Sequence, residues 1–186
     1  MSPDRSASPS RRTLLVATLA FTTLLAGCQV RPLYSEADGP GRKLANVGFS
    51  EPRNRIEQAV RNELVFLAAG GAGEPLNPAY DLALNVSSSA DNVLDDDGLA
   101  EVGVPVPGRV EVTADFTLTR VSDGRILKQA QRSSVALIDV SRQTFAKLRA
   151  IRDGENRAAR ELAEFIRNDI AIALSREPQQ PETWQK

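Results

Sequence analysis

The Asp123-Gly124 pair, set between two alternating runs, constrains this chain more than any other stretch. An Asp-Gly turn joins antiparallel strands because both residues accept the positive φ of a two-residue hairpin loop. Pairing Ser122 with Arg125 and counting outward sets Val112 opposite Val135 and Val110 opposite Leu137, with Asp115 opposite Arg132. Apolar and opposite-charge pairs across a ladder each contribute roughly 0.2–1 kcal/mol, so this register is self-consistent. It assigns Val110, Val112, Ala114, Phe116, Leu118, Leu127, Val135 and Leu137 to a core. The other face holds Arg109, Glu111, Thr113, Asp115, Thr117, Thr119, Lys128, Ala130, Arg132 and Ser134, polar without being uniformly charged.

Flanking elements follow from periodicity. Leu44 to Phe49 is predicted as a short strand, and Ser50 as the cap of a helix with Pro52 in its first turn. Ile56, Val60, Leu64 and Leu67 recur at helical spacing, while Arg53, Arg55, Glu57, Arg61 and Glu63 take the other faces. Gly70-Gly71-Ala72-Gly73 ends that helix; it lacks the Lys-Ser/Thr ending of a phosphate loop. Tyr80, Leu82, Leu84 and Val86 alternate with polar or small residues, the pattern of a half-buried strand.

Residues 88–108 follow no clear period. Asp91, Asp95, Asp96 and Asp97 suggest calcium, but an EF-hand loop ending at Gly98 would need acids where Val93 and Val104 stand. A solvated acidic loop is the reading there. A second helix is predicted from near Asp153, with Thr144 to Arg152 able to extend it. Its inner stripe is Ala159, Leu162, Ile166, Ile170 and Ala173, widened by Phe165 and Leu174; Arg157, Arg160, Glu161, Glu164 and Arg167 face water. The order β, α, β, β, β, α predicts an α+β two-layer sandwich, two helices on one face of a four-stranded, mostly antiparallel or mixed sheet. Its opposite face would stay open to solvent or a partner.

The N-terminus reads as an export signal. Residues 1–12 carry Arg5, Arg11 and Arg12 against Asp4, and Thr13 to Leu25 is uncharged and mostly apolar. That run is too short for the roughly 20 residues of a spanning helix. It closes on Leu24-Leu25-Ala26-Gly27-Cys28, which resembles the lipobox of bacterial lipoproteins and contains the only cysteine. The resemblance implies cleavage before Cys28 and acylation of its thiol, palmitate included; several acyl chains anchor firmly at ~0.8 kcal/mol per buried CH₂. Ser10-Arg11-Arg12-Thr13-Leu14-Leu15 loosely resembles a twin-arginine signal, but two arginines before an apolar run are also common in general export signals, and the general route is the favoured one. Gln29, in place of the Asp common in inner-membrane lipoproteins, points to the outer membrane. The expected divisions are a signal peptide at 1–27, a Pro/Gly-containing tether at 28–43, one domain at 44–176 and a disordered tail at 177–186 that includes Trp184.

Composition narrows the chemistry. Residues 28–186 are a normal size for one domain, and removal of the signal takes the net charge from −1 to −3, too balanced for a nucleic-acid partner. The chain has no histidine, and its one thiol is assigned to lipid. Ser-His-Asp and Cys-His catalysis are thereby excluded, as are His-containing zinc sites. No cofactor or metal is expected, and a non-enzymatic role is.

Three stretches together resemble the LPS-assembly lipoproteins of Gram-negative bacteria, the LptE family. They are the start Gly27-Cys28-Gln29-Val30-Arg31-Pro32-Leu33-Tyr34, the hairpin Phe116–Leu127, and Phe145-Ala146 followed by the helix Glu155–Ile166. The resemblance implies a plug within an outer-membrane β-barrel LPS translocon, which it helps to assemble, and a binding partner for lipopolysaccharide. Arg109, Lys128 and Arg132 on the open face, with Arg125 beside the turn, are the candidate contacts to lipid A phosphates, since guanidinium forks bind phosphate bidentately and Lys acts as a point charge. The plain alternative is a solvated face with Arg132 engaged by Asp115. An auxiliary lipoprotein of a lipid-transporting ABC system is the rival function. A carboxylate hydrolase is a further class, but nothing places two acids at one structured site.

Overall fold

A computed structural model describes residues 40–92 and 106–178. The elements are α1 (Pro40–Leu44), β1 (Val47–Phe49), α2 (Arg55–Ala69), β2 (Tyr80–Asn92), β3 (Val106–Arg120), β4 (Ile126–Val140) and α3 (Thr144–Ser175). The sheet runs β1-β2-β3-β4; β1 is parallel to β2 and the other pairs are antiparallel. The helices lie on one side of this mixed sheet, the α+β two-layer sandwich that the pattern predicts.

The core forms where even-numbered strand residues meet the helix stripes. Leu82, Leu84 and Val86 of β2 and Val110, Val112, Phe116 and Leu118 of β3 are buried against Val60 and Leu64 of α2 and Leu162, Ile166 and Ile170 of α3. The buried stripe of α3 is displaced from the predicted one: Phe165 is 40% exposed, and Ala158, Ala163 and Ala171 are buried beside the predicted Ala159, Leu162, Ile166, Ile170 and Leu174. Small residues let the helix lie close to the sheet. A Cβ at Gly154 would stand 2.7 Å from Ile138 Cγ2 and 3.0 Å from Val110 Cγ2, inside van der Waals contact.

Helix α2 starts later than predicted. Asn54 is its cap, accepting from the Glu57 amide at 2.8 Å, and Gly70 closes it at φ 59°. Ser50 serves the sheet instead: its Oγ accepts from the Leu84 amide at 3.0 Å. Arg53 Nη2 donates to the Leu84 carbonyl at 3.1 Å, and Asn54 Nδ2 to that of Val86 at 3.1 Å. Side chains thus satisfy the edge of β2 where the three-residue β1 runs out, which blunts an exposed ladder. Glu57 also departs from its predicted solvated face: it is 1% exposed, and neither carboxylate oxygen is hydrogen-bonded among the described residues.

Two boundaries shift. Pro40–Leu44 is helical, so the last residues of the expected tether belong to the folded body; Lys43 Nζ donates to the Leu174 and Glu177 carbonyls at the end of α3, at 3.1 and 2.7 Å. Helix α3 begins at Thr144, making it 32 residues long. Residues 88–92 continue β2, and 106–108 open β3. The Asp95–Asp97 cluster, Cys28 and Trp184 lie outside the described residues.

The largest correction concerns β4. The hairpin loop is four residues, Val121–Gly124: the Arg120 amide donates to the Arg125 carbonyl, and the Gly124 amide to that of Arg120, each at 2.9 Å. Gly124 takes the positive φ, 69°. Thr119 then pairs with Ile126, but the next pair is Leu118 with Lys128, so Leu127 is an inserted bulge residue. The longer loop moves the register by two, which preserves the faces, and the bulge returns one, which inverts them. Val112 therefore pairs with Ser134, Val110 with Ala136 and Asp115 with Gln131. Val135 and Leu137, predicted for the core, are exposed, whereas Ser134, Ala136 and Ile138 are buried.

Candidate functional site

The inversion of β4 separates the four predicted phosphate contacts. Arg109 is on the open face, between Asp91 and Leu137 of the neighbouring strands. Lys128 and Arg132 are on the side that carries the helices. Arg132 does not meet Asp115; it holds Asp169 of α3, with Nε 2.9 Å from Oδ2 and Nη2 3.2 Å from Oδ1. Arg125 follows the turn, its amide donating to Asp123 Oδ1 at 3.2 Å. Arg109 and the turn lie at opposite ends of β3, about 36 Å apart at the ordinary strand rise. The four side chains therefore do not converge on one place.

A different cluster does assemble. Helix α3 would be ~48 Å long at the helical rise, and the 15-residue β4 ~50 Å at the strand rise, so a helix running back along β4 returns its C-terminus to the hairpin. There Arg125, Lys128 and Arg176 line a groove of about 280 Å³ together with Ile126, Ile172 and Asp169. Asp169 is already engaged by Arg132, and Glu177 pairs with Arg120, which also binds Asp123 at 2.7 Å. Arg125, Lys128 and Arg176 enter no ion pair among the described residues. The groove thus combines three available cations with two partly exposed isoleucines, Ile126 and Ile172. Tyr80 lies nearby on the buried side of β2; burial raises its phenol above the ordinary 10.0, and the Glu177 charge pushes it the same way against the opposing pull of Arg120. Arg176 escaped the sequence reading because nothing local marks it. Only the matched lengths of α3 and β4 bring it to the hairpin.

The opposite face is bare among the described residues. Asn85, Asp115 and Gln131 form one row across β2, β3 and β4, with Gln131 Nε2 donating to Asp115 Oδ1 at 3.0 Å. This row lies in a shallow concavity of about 670 Å³ whose walls include Thr117, Gln129 and Arg53. No group of three or more metal-ligating side chains occurs among the described residues, and no helix there is long and apolar enough to cross a membrane.

No protein-family model and no curated protein matches the sequence. Among solved structures, the chain is similar to a "putative lipoprotein" from Caulobacter crescentus, with a TM-score of 0.58 at 19% identity over 74% of this chain and 97% of that one. It is also matched to a minor lipoprotein from Acinetobacter baumannii, with a TM-score of 0.48 at 13% identity over 73% and 94% of the two chains. A third match is the rare lipoprotein B from Shewanella oneidensis, with a TM-score of 0.45 at 16% identity over 68% and 92%. The Caulobacter likeness establishes a shared fold that spans nearly all of that lipoprotein.

Proposed function

We propose that this chain is an outer-membrane lipoprotein, lipidated on Cys28, that docks with a β-barrel LPS translocon and assists LPS transport and insertion without catalysing a reaction. The observation that carries the reading is a sheet covered by helices on one side only among the described residues, within a fold shared with a bacterial lipoprotein. Its uncovered side is lined by Ser, Thr, Asn, Gln and carboxylates, which suits a wet, polar barrel lumen. The lipobox ending in Cys28 and the absence of histidine support an anchored, non-enzymatic role.

Within this reading the LPS phosphates meet the groove at the hairpin, not the open face. Arg125, Lys128 and Arg176 supply the charge there, and Ile126 and Ile172 an apolar shelf for an acyl chain. In this proposal Arg109, at the far end of β3, and Arg132, held by Asp169, are not among the contacts. Depleting the protein and labelling surface LPS tests the function: LPS should fall at the cell surface. Affinity purification should recover a heat-modifiable β-barrel; recovery of an ATPase or permease in its place would favour the ABC-auxiliary role and overturn this one.

A further inference from the structure

The uncovered sheet face carries an unbalanced charge that the inversion of β4 creates. Had Lys128 and Arg132 faced outward, that face would hold three cations. As it stands, the outward positions of β2, β3 and β4 include Asp81, Asp91, Glu111, Asp115 and Asp139 against Arg109 alone. Arg109 is directly opposite Asp91, at one end. None of the five acids enters an ion pair among the described residues. Arg53, at the rim of the concavity, is already committed to the Leu84 carbonyl, the Asn85 side chain and Glu57. At the centre Asp115 keeps Oδ2 without a hydrogen-bond partner among the described residues, flanked by Asn85 and Gln131.

We propose that this face docks onto a basic, polar protein wall and that a guanidinium or ammonium group of that wall seats on Asp115 in the concavity. The inference rests on the barrel reading above, and names the chemistry of the barrel surface that the chain would meet. Charge complementarity selects that occupant: an anionic membrane surface or the phosphates of LPS would be repelled by five carboxylates. A second copy of the chain would present the same acidic face and be repelled as well. Exposed Val135 and Leu137, near the far end of the face, supply the small apolar contact that a wet interface needs at its anchor.

The test co-expresses the full chain with its barrel and purifies through the barrel, with washes at about 50 mM and 500 mM salt, which bracket strong and weak screening. Glu111→Lys with Asp115→Lys should lower recovery of the chain at least tenfold at low salt, and Glu111→Gln with Asp115→Asn by less in the same direction. Arg109→Glu, which adds to the acidic surplus, should raise recovery at low salt, an outcome that a purely steric interface would not give. Lys147→Glu with Arg149→Glu, exposed on α3 and outside both the face and the groove, should leave barrel retention unchanged. Thermal unfolding of each purified variant, matching the parent, confirms that these surface changes leave the fold intact. Retention of the barrel by the Glu111→Lys/Asp115→Lys chain overturns the inference while the function stands. Failure of the unaltered chain to retain any barrel overturns the function, and the inference with it.

Discussion

On the helix-covered side of the sheet, Arg132 holds Asp169, Ser134 Oγ donates to Glu161 at 2.6 Å and Arg120 holds Glu177, while Lys128 in the groove at the hairpin enters no ion pair among the described residues. On the uncovered side, Asp115 is satisfied in part by Gln131, and the other carboxylates enter no ion pair among the described residues. The same strand, β4, feeds both sides with alternate residues. Polar groups that fix α3 against the sheet are therefore structural, whereas those left outward are available for recognition. One inserted residue, Leu127, decides which are which.

Adjacent positions on β4 give the sharpest way to break that comparison. Leu137 is 70% exposed and Ile138 7%. Ile138→Asp buries a charge against Val110 and Gly154 and should cost about 4 kcal/mol or abolish cooperative folding. Leu137→Asp should stay within about 0.5 kcal/mol. Urea unfolding of the two variants reads the register directly; the reverse order would restore the register counted from a two-residue turn.

Close packing of α3 on the covered face predicts the next effect. Gly154→Val places atoms where Ile138 and Val110 already stand, and overpacking of this kind costs about 1–3 kcal/mol. Chemical denaturation measures it. A neutral result would mean that the helix rides higher on the sheet than the structure places it.

Much of this architecture was legible in the chain. The stripe Ile56-Val60-Leu64 and the alternation of β2 and β3 each favour one face, because the wrong face would bury charged or polar side chains. In β4 the pattern is silent: Val135-Ala136-Leu137-Ile138 is apolar on both faces, and Lys128, Gln129, Gln131 and Arg132 are polar on both. The turn then had to decide the register, and the four-residue loop with its bulge is not visible in an Asp-Gly pair. The candidate site suffered accordingly, since two of its four cations sit on β4. Arg125 and Lys128 survive in a cluster whose third member, Arg176, arrives through tertiary geometry alone.

Glu57 is a fully buried charge on the covered side and sharpens the contrast by its cost. It is buried with Arg53 Nε at 3.5 Å, but Arg53 itself is largely in solvent. A carboxylate held without hydrogen bonds costs roughly 1–3 kcal/mol. Glu57→Leu keeps the volume close and removes that cost, so the midpoint of thermal unfolding should rise, with a gain of about 1–2 kcal/mol in denaturant titration. A loss of stability would show that the carboxylate is satisfied by a group outside the described residues.

The smallest expected effect is one of pH, and it belongs to the covered face alone. Tyr80 is 5% exposed, and its phenol is raised first by burial and then by Glu177. The folded state thus holds the proton more tightly than the unfolded chain, where the phenol titrates near 10.0. Below that pH both states are protonated, and the contribution of Tyr80 to stability is fully present. As pH climbs past 10.0 the unfolded chain ionises first, so stability declines until the folded phenol also ionises. Tyr80→Phe removes the titration and should flatten this part of the alkaline profile. A profile with the same alkaline slope in Tyr80→Phe would place the titrating group elsewhere and loosen the packing assigned to the hairpin end of β2.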